Sequence, residues 1–292
     1  MAKMFYSLRA FKAALQVARM LPRNIAHAIA PILGRIGYWH NASGRAALRA
    51  NLRRVTQRSG RDFDALCANN VTYFSQMMAD YFLCADDHQR ALTLLDEWRG
   101  LENLKAALAR GKGVILVTAH LGNWEMGGTL LALRGFPMSI ITLEEPSGEL
   151  TEWRLAQRRR LGIKTITVGP GHNFAFVEMI QALRRNEILA MLVDRPFEGS
   201  GAPVELFGAT TEFSSGPALL WQHTDAAIIP AFVLRNGNLG YTSFADPALD
   251  FQSATDPRTA LLANTQRLAL HFEAIIKKHP EQWFNYVPIW NP

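Results

Sequence analysis

The residues best suited to chemistry are His120 and Glu125, which lie five positions apart just after the apolar run Val114–Thr118. This β-branched run is bounded by glycine, so it predicts a buried strand. A histidine at the carboxyl end of such a strand is delivered to the crevice where open α/β sheets bind ligands. Gly122 allows a tight reversal that brings the Glu125 carboxylate onto one imidazole nitrogen and leaves the other nitrogen free. The pair therefore predicts a general base for an alcohol, with the carboxylate stabilising the imidazolium.

The spacing alone is weak evidence for a catalytic pair. Of the eight histidines, only His120 has an acidic residue five positions later, and chance gives about even odds of one such match. The position after a hydrophobic strand, with Gly122, Asn123 and Trp124 inside the motif, makes the match more specific. The alternative interpretation is a structural histidine whose hydrogen bonds are satisfied at a strand end.

The segment Val117–Glu125 resembles the signature of the bacterial lipid A biosynthesis acyltransferases, within the glycerolipid acyltransferases that carry a His-x4-Asp/Glu motif. Later segments resemble further elements of that family: Leu192–Arg195, Val204–Gly208, Ser215–Pro217 and His279–Phe284. The resemblance covers roughly residues 40 to 290. It implies a glycerol-3-phosphate acyltransferase-like fold in which His120 and Glu125 transfer a fatty acyl group from acyl carrier protein or acyl-coenzyme A to a lipid hydroxyl.

Two departures limit what the resemblance implies. Members of the family usually begin with a hydrophobic membrane-spanning helix, whereas this chain begins with a charged amphipathic stretch. The same fold also includes transferases that act on mannosylated phosphoinositides and on other glycolipids or aminolipids. A late lipid A acylation is the first expectation for the acceptor, and a phosphoinositide mannoside-like lipid is the alternative.

The family interpretation gives roles to other polar residues, with Asn123 inside the motif expected to contact substrate. Arg154 and Arg158 lie in an arginine-rich predicted helix and suit a lipid phosphate or an acidic carrier, because guanidinium groups bind phosphate through forked hydrogen bonds. A solvated basic face is the alternative. Asp194 and Arg195 follow an apolar strand and are expected to line the acceptor site, with a structural ion pair as the alternative.

The elements that position these residues predict an α/β fold: a mixed central sheet flanked by helices, with a helical N-terminal extension. Residues 1 to 110 are predicted to be almost entirely helical. From Gly111 onward, short apolar runs alternate with helical segments. The predicted strands are 114–118, 138–143, 165–168, 188–193 and 227–234, and the predicted helices are 149–161, 174–185, 217–223 and 257–278.

Charge is concentrated in the first fifth of the chain. Residues 1–61 contain twelve Lys/Arg and no Asp or Glu, whereas the remaining 231 residues contain 19 basic and 25 acidic residues. Residues 1–40 are predicted to form an amphipathic, membrane-associating helical segment that precedes an acyltransferase domain, 41–292. Its apolar positions, from Phe5 to Leu21, recur at helical spacing and favour an anionic membrane surface over nucleic acid. An ordinary surface helix packed on the core is the alternative.

Several classes of protein are disfavoured by missing motifs. No run approaches the roughly 20 apolar residues of a spanning helix and no secretory signal is recognised, so we expect a peripheral protein on the cytoplasmic face of the inner membrane. The two cysteines, Cys67 and Cys84, are expected to be buried free thiols. The sequence lacks the Gly-x-Ser-x-Gly and His-Glu-x-x-His motifs, and Gly169–Phe174 lacks the third glycine of a dinucleotide loop. No metal or nucleotide cofactor is therefore expected, and a hydrolase or a noncatalytic basic binding protein remains the rival class.

Overall fold

The computed structural model describes residues 12–13, 15–17, 20–85, 87–143, 148–197, 199–237 and 239–290. Most of the predicted amphipathic stretch, including Phe5, Leu8 and Phe11, lies outside these residues. The ten longer helices of the described part are α1 Arg23–His40, α2 Ala42–Thr56, α3 Gly60–Cys84, α4 Arg90–Leu94, α5 Leu101–Ala109, α6 Trp124–Leu133, α7 Gly148–Arg160, α8 Ala175–Arg184, α9 Gly216–Thr224 and α10 Pro257–Lys278. The strands are β1 Leu95–Arg99, β2 Val114–Thr118, β3 Met138–Leu143, β4 Lys164–Val168, β5 Ile188–Leu192, β6 Gly201–Leu206, β7 Ala209–Ser214, β8 Ala227–Arg235 and β9 Tyr241–Ala245. A short 3-10 turn follows α10 at Pro280–Gln282.

Seven strands form one mixed sheet in the order β1-β9-β8-β2-β5-β3-β4, and β6 pairs with β7 in a separate hairpin. The pairs β8–β2, β2–β5, β5–β3, β3–β4 and β1–β9 are parallel, and only β8–β9 is antiparallel among the seven. Because β2, β3, β4, β5 and β8 run in the same direction, their carboxyl ends meet at one edge, which we call the catalytic edge. The predicted α/β class with a mixed, mainly parallel sheet is confirmed.

The apolar runs of the sequence predicted the strands of the parallel part of the sheet accurately. The strands predicted at 114–118 and 138–143 have these bounds in the structure, and three others agree within one residue at each end. The prediction of an almost entirely helical region up to residue 110 did not include β1, where Leu95–Arg99 pairs with β9. The sequence analysis also missed β9 and the β6–β7 hairpin, which are short strands near the edges of the fold.

Helices cover both faces of the sheet and divide its core in two. One face carries Ile115, Val117 and Leu189 and packs against α2, α3, α8, α9 and α10. The other face carries Val114, Leu116 and its neighbours and packs against α5 and α6. Alternate residues of the buried strands therefore serve different cores, as the two-residue period of a strand requires.

Helix α3 joins the two sides of the sheet. Phe63 and Val71, in its first half, belong to the core of the first face. Cys84, at its end, packs with Met126 of α6 and Tyr241 of β9 on the second face. At 25 residues the helix is about 37 Å long, which is enough to cross from one layer to the other.

Helix α1 is anchored to α3 by a buried ionic contact. Asp80 of α3 is fully buried and accepts two hydrogen bonds from Arg23, at 2.7 and 2.9 Å, and one from Tyr241 at 2.8 Å. The ring of His27 lies 2.8 Å from the same carboxylate. Burial alone raises the pKa of Asp80, but hydrogen bonds from Arg23 and His27 outweigh it and hold that pKa below its ordinary value.

The remainder of α1 exposes an apolar face. Its large exposed apolar side chains recur at helical spacing: Ile25, Ile29, Ile32, Leu33, Ile36 and Trp39. Within the described residues, no helix combines the length and hydropathy that a membrane-spanning segment needs.

Candidate functional site

The turn after β2 holds the candidate catalytic residues at the catalytic edge. Gly122 has φ +63°, and a Cβ at this position would lie 2.2 Å from the carbonyl oxygen of Val233. The next amide, that of Asn123, donates to the same oxygen at 2.7 Å, and the amide of Gly122 donates to Gln282 at 2.9 Å. Only glycine fits this close approach, so the central residue of the motif is fixed by backbone packing.

Asn123 begins helix α6. Its side-chain oxygen accepts a hydrogen bond from the amide of Met126 at 3.1 Å, which is an N-cap contact. The side chain is fully buried. This cap explains why the helix begins at Trp124. The predicted contact of Asn123 with substrate stays a prediction, because the side chain already has this structural role.

The imidazole of His120 is held by Asp194, which lies just after the neighbouring strand β5. Its Nδ1 is 2.8 Å from Oδ1 of Asp194, and its backbone amide donates to both carboxylate oxygens at 3.1 Å. Oδ2 also accepts hydrogen bonds from Trp283 Nε1 and Asn285 Nδ2, each at 2.9 Å. Protein donors therefore surround this buried carboxylate, and the predicted contact of Asp194 with the acceptor stays a prediction.

These contacts fix the charge of Asp194. Complete burial by itself raises the pKa of a carboxyl group, but the electrostatic interaction and hydrogen bond with His120, the charge of Arg195 and the amide of Asn285 outweigh burial here. Together they hold the pKa of Asp194 well below its ordinary value. Asp194 is therefore a carboxylate over the physiological pH range.

An ionised Asp194 settles the tautomer of His120. Arg195 Nε also lies 3.0 Å from Nδ1, and a single ring nitrogen cannot both donate to Asp194 and accept from Arg195. We place the proton on Nδ1, because the carboxylate contact is shorter and is charge-assisted. Nε2 then carries the lone pair, and with a side chain 20% exposed the ring is open to a substrate.

Glu125 does not make the predicted contact with the imidazole. Its carboxylate lies 3.2 Å from Arg154 Nη1 and 3.7 Å from Arg158 Nη2, both on helix α7. Glu125 is the second residue of α6, so its side chain leaves the turn toward α7, while Asp194 reaches Nδ1 from the adjacent strand. The expected orienting carboxylate exists, but it is Asp194.

Trp124 and the C-terminal segment complete the surroundings of His120. The ring of Trp124 makes an edge contact with the imidazole at 5.2 Å between centroids, and Phe284 packs on Trp124 at 6.3 Å. The amide of Phe284 donates to the carbonyl of His120 at 2.7 Å. Sequence reasoning missed the roles of Trp283 and Asn285, although the segment His279–Phe284 had been singled out as a family element.

A cavity lined in part by Trp124 and Glu125 opens beside this turn, and we call it the sheet cavity. It lies between α6 and the sheet face of the second core, and it crosses β9, β8, β2, β5 and β3. Small residues leave the space open: Ala190, Ala231 and Ala245 on strands, and Gly127 and Gly128 on the helix. Its predominantly apolar lining, with Glu125, Arg154 and Arg158 at one part of the wall, suits an amphiphile with a long apolar chain.

A second, smaller cavity is lined by other residues, including His88, Asn123 and Gln157. It shares Glu125, Arg154 and Arg158 with the sheet cavity. Cys84 also lines it, but burial raises the pKa of this thiol to about 12. Cys84 is therefore protonated and is not a nucleophile, in agreement with the predicted free, buried thiols Cys67 and Cys84.

Comparison with known proteins gives a consistent result. Residues 5–291 match the family model described as bacterial lipid A biosynthesis acyltransferase. The chain is 29% identical over 256 residues to a phosphatidylinositol mannoside acyltransferase of Mycobacterium tuberculosis (strain CDC 1551 / Oshkosh), covering 87% of this chain and 79% of that protein. It is 28% identical over 282 residues to the protein of the same name in Mycolicibacterium smegmatis, covering 96% and 90%. A lipid A biosynthesis palmitoleoyltransferase of Escherichia coli is 25% identical over 187 residues, covering 63% and 58%.

Proposed function

The chain belongs to the bacterial lipid A biosynthesis acyltransferase family, and on that basis we propose that this O-acyltransferase moves a fatty acyl group from a carrier thioester to a hydroxyl of a membrane glycolipid. One observation carries the proposal: the imidazole of His120 is oriented by Asp194, and the adjacent residues Trp124 and Glu125 of the same motif line a largely apolar cavity. A general base beside a chain-sized cavity is what transfer of a fatty acyl group to an alcohol requires.

The reaction is a single direct transfer. The acceptor hydroxyl donates a hydrogen bond to Nε2 of His120 and attacks the thioester carbon, while its proton passes to Nε2. Asp194 stabilises the imidazolium that forms. The tetrahedral intermediate then expels the thiolate, which takes the proton from Nε2, so that the products are the ester and the free carrier thiol. No metal or nucleotide takes part in this scheme.

Glu125 has a different role in this proposal from that of an orienting carboxylate. It holds Arg154 and Arg158 between the two cavities. Two guanidinium groups against one carboxylate leave a net positive charge, which suits the phosphate of a lipid acceptor or of the carrier's prosthetic arm. Arg195, beside the imidazole, is a second candidate contact for such a group.

The donor chain occupies the sheet cavity. Adjacent strands are about 4.8 Å apart, so the five strands crossed by the cavity span roughly 19 Å. The turn of His120 follows β2, the middle one of these five strands, so an acyl chain whose carbonyl lies at this turn has about 10 Å of the cavity on either side. Acyl carrier protein and acyl-coenzyme A both present such a thioester, and both are candidate donors.

The acceptor is a sugar-bearing lipid in this proposal. The names of the relatives point to two such acceptors, phosphatidylinositol mannoside and lipid A. Late lipid A acylation is the first expectation from the sequence. The phosphatidylinositol mannoside acyltransferases match over more of the chain, so we give the two acceptors equal weight.

The enzyme meets this acceptor at the cytoplasmic face of the inner membrane. The exposed apolar face of α1 supports this placement, and so do the basic residues of the first 61 positions. An anionic surface attracts the charge, and the apolar face enters the headgroup layer.

The test is acyl transfer from labelled acyl carrier protein and acyl-coenzyme A to a panel of lipids that includes a lipid A precursor and a phosphatidylinositol mannoside. Wild type and His120→Ala are compared, and free fatty acid is measured in the same reactions. Labelled lipid that disappears in the variant supports the proposal and identifies the acceptor. Free fatty acid without acylated lipid would indicate a thioesterase, and full activity of His120→Ala would exclude the mechanism.

A further inference from the structure

A short segment near the C-terminus, residues 282–285, runs alongside the catalytic turn and pairs with it. The amide of Gly122 donates to the carbonyl of Gln282 at 2.9 Å. Two residues later in the segment, the amide of Phe284 donates to the carbonyl of His120 at 2.7 Å. These hydrogen bonds make an antiparallel bridge, so the segment is attached by one edge to the turn that carries the imidazole.

Two side chains of this segment reach the carboxylate that orients His120. Trp283 and Asn285 are two positions apart, so in an extended chain their side chains lie on one face. Both are fully buried, and each donates a hydrogen bond of 2.9 Å to Oδ2 of Asp194. The position of the segment therefore determines where this carboxylate lies relative to Nδ1 of the imidazole.

The opposite edge of the segment is held by two asparagines of the N-terminal helices. Asn70 of α3 donates from Nδ2 to the carbonyl of Trp283 at 2.8 Å. Asn51 of α2 donates from Nδ2 to the carbonyl of Asn285 at 3.1 Å. The two residues that bind Asp194 through their side chains are therefore the same two that these asparagines bind through their carbonyls.

The surroundings of the two asparagines fix their orientation. Asn70 is fully buried and Asn51 is 2% exposed. Oδ1 of Asn70 accepts a hydrogen bond from the Tyr286 hydroxyl at 3.2 Å, and Oδ1 of Asn51 accepts one from the amide of Ile289 at 3.2 Å. A buried amide group is unfavourable unless its hydrogen bonds are made. Both ends of each amide are bonded here, so each donor stays directed at its carbonyl in the segment.

We propose that Asn70 and Asn51 are positioning residues for acyl transfer, which act on His120 through residues 282–285 and Asp194. A displacement of about 1 Å in a catalytic contact can lower a rate roughly 100-fold. A segment that is free to shift would move the Asp194 carboxylate and release the imidazole from its productive orientation. This inference rests on the proposed function, because it takes His120 as the general base. It deepens that function by making helices α2 and α3 part of the catalytic apparatus.

Steady-state kinetics of lipid acylation by the full-length enzyme test this role, with the donor and acceptor identified as described above. We expect Asn70→Ala and Asn51→Ala each to lower kcat about 10- to 100-fold. The KM values should change little, because neither asparagine lines the sheet cavity. Rates are expressed per folded enzyme, with the folded fraction measured by circular dichroism.

Asn264→Ala is the matched control. Asn264 of α10 is also fully buried and also holds a backbone segment, since its Nδ2 donates to the carbonyl of Gln252 at 2.8 Å and its Oδ1 accepts from the amide of Gln252 at 2.9 Å. Loss of this side chain should lower the stability to unfolding, as loss of Asn70 or Asn51 does. The kcat of the folded Asn264→Ala enzyme should stay near that of wild type.

A double-mutant cycle with Asp194→Asn separates positioning from general structural damage. If the asparagines act through Asp194, then Asn70→Ala and Asn51→Ala have little left to disturb once this carboxylate is replaced. In the Asp194→Asn background we therefore expect each to lower kcat by about twofold or less, which is the deviation from additivity seen for independent sites. A residue with a purely structural role would give the same fold loss in both backgrounds.

The outcomes separate the two proposals. Equal fold losses in the two backgrounds, or kcat values no lower than that of Asn264→Ala, overturn this inference and leave the proposed function standing. Asn70 and Asn51 bind different carbonyls of the segment, so either variant completes the cycle if the other does not fold. A wild-type enzyme that acylates no lipid from any donor contradicts the proposed function itself.

Discussion

The imidazole of His120 depends on one carboxylate for its tautomer, and that carboxylate is Asp194. It sits 2.8 Å from Nδ1, and Trp283 and Asn285 hold it from the other side. Sequence reasoning recognised His120 correctly as the residue at the strand end, since the apolar run and Gly122 are local signals. It could not identify its partner, because Asp194 lies 74 residues away and only strand order makes it a neighbour.

Asp194→Asn tests this partnership. The amide cannot stabilise the imidazolium and allows the wrong tautomer, so we expect the transfer rate to fall about 10²- to 10⁴-fold with little loss of substrate binding. Initial rates of lipid acylation give the comparison. Asp64→Asn, an exposed carboxylate remote from the site, serves as the control and should retain wild-type activity. Unchanged turnover in Asp194→Asn would contradict the assignment.

A local motif predicted Glu125 as the partner of the imidazole. In the structure its carboxylate instead contacts Arg154 and Arg158. Because Glu125 pairs with Arg154 and Arg158, we expect Glu125→Gln to raise the KM for the donor or acceptor more than it lowers kcat. Steady-state kinetics at two salt concentrations measure this split, since binding of a phosphate by two arginines weakens with ionic strength. A loss confined to kcat and equal to that of Asp194→Asn would restore Glu125 as the partner of the imidazole.

Among the elements, the five parallel strands β2, β3, β4, β5 and β8 were predictable, whereas β1, β9 and the β6–β7 hairpin were not. Strand β2 begins with four consecutive apolar residues, all of them buried, because both of its faces are covered. In contrast, β1 reads Leu-Asp-Glu-Trp-Arg, with charges that its position at the edge of the sheet tolerates. Its pairing with β9 depends on contacts about 145 residues away, which no local pattern reveals.

The packing of α1 on α3 gives a prediction about stability. A Cβ at Gly34 would lie 1.8 Å from the hydroxyl oxygen of Ser75 and 3.0 Å from its Cβ. We therefore expect Gly34→Ala to destabilise the protein by about 1–3 kcal/mol, as overpacking does. The midpoint of thermal unfolding measures this change. Gly148→Ala is the matched control, since Gly148 is also helical and has open space around its Cβ position; it should be neutral or slightly stabilising.

The Asp80 contact predicts how stability responds to acid. Its pKa is depressed in the folded protein, so its contribution is complete above the unfolded value of about 4 and is lost as pH falls toward the folded value. At neutral pH, Asp80→Asn should cost about 3–5 kcal/mol, because it leaves Arg23 without its buried partner. Between pH 5 and pH 3, roughly the range around the ordinary carboxyl pKa, this variant should lose less stability than wild type in urea titrations. Parallel pH dependences of the two proteins would show that Asp80 contributes nothing to acid sensitivity.

In the molecule as a whole, the excess of positive charge and an exposed apolar surface lie in the same N-terminal region. All of the positive excess lies in residues 1–61, and helix α1 within them exposes its apolar face. The sequence predicted this asymmetry from composition alone. It could not show which apolar positions of α1 remain exposed after packing on α3.

Vesicle binding tests the membrane proposal. Wild type should bind vesicles rich in anionic lipid, and binding should weaken as salt rises. Leu33→Asp, at a position 63% exposed on α1, should reduce binding at least tenfold, whereas Leu270→Asp, at a position 52% exposed on α10, should not. Cosedimentation gives both values. Equal binding by the two variants would remove α1 from the membrane contact.

The hydrogen bonds by which Trp283 and Asn285 hold Asp194 against His120 also have a consequence for biosynthesis. Asp194 lies 89 and 91 residues before the Trp283 and Asn285 side chains that bind it. At ribosomal rates of about 5–20 residues per second, roughly ten to thirty seconds pass between synthesis of His120 and of Asn285. During that interval the nascent chain contains His120 but lacks the Asn285 side chain that completes the hydrogen bonds to Asp194. The enzyme therefore acquires its full reactivity toward cellular thioesters only after the segment around Asn285 has emerged from the ribosome and docked.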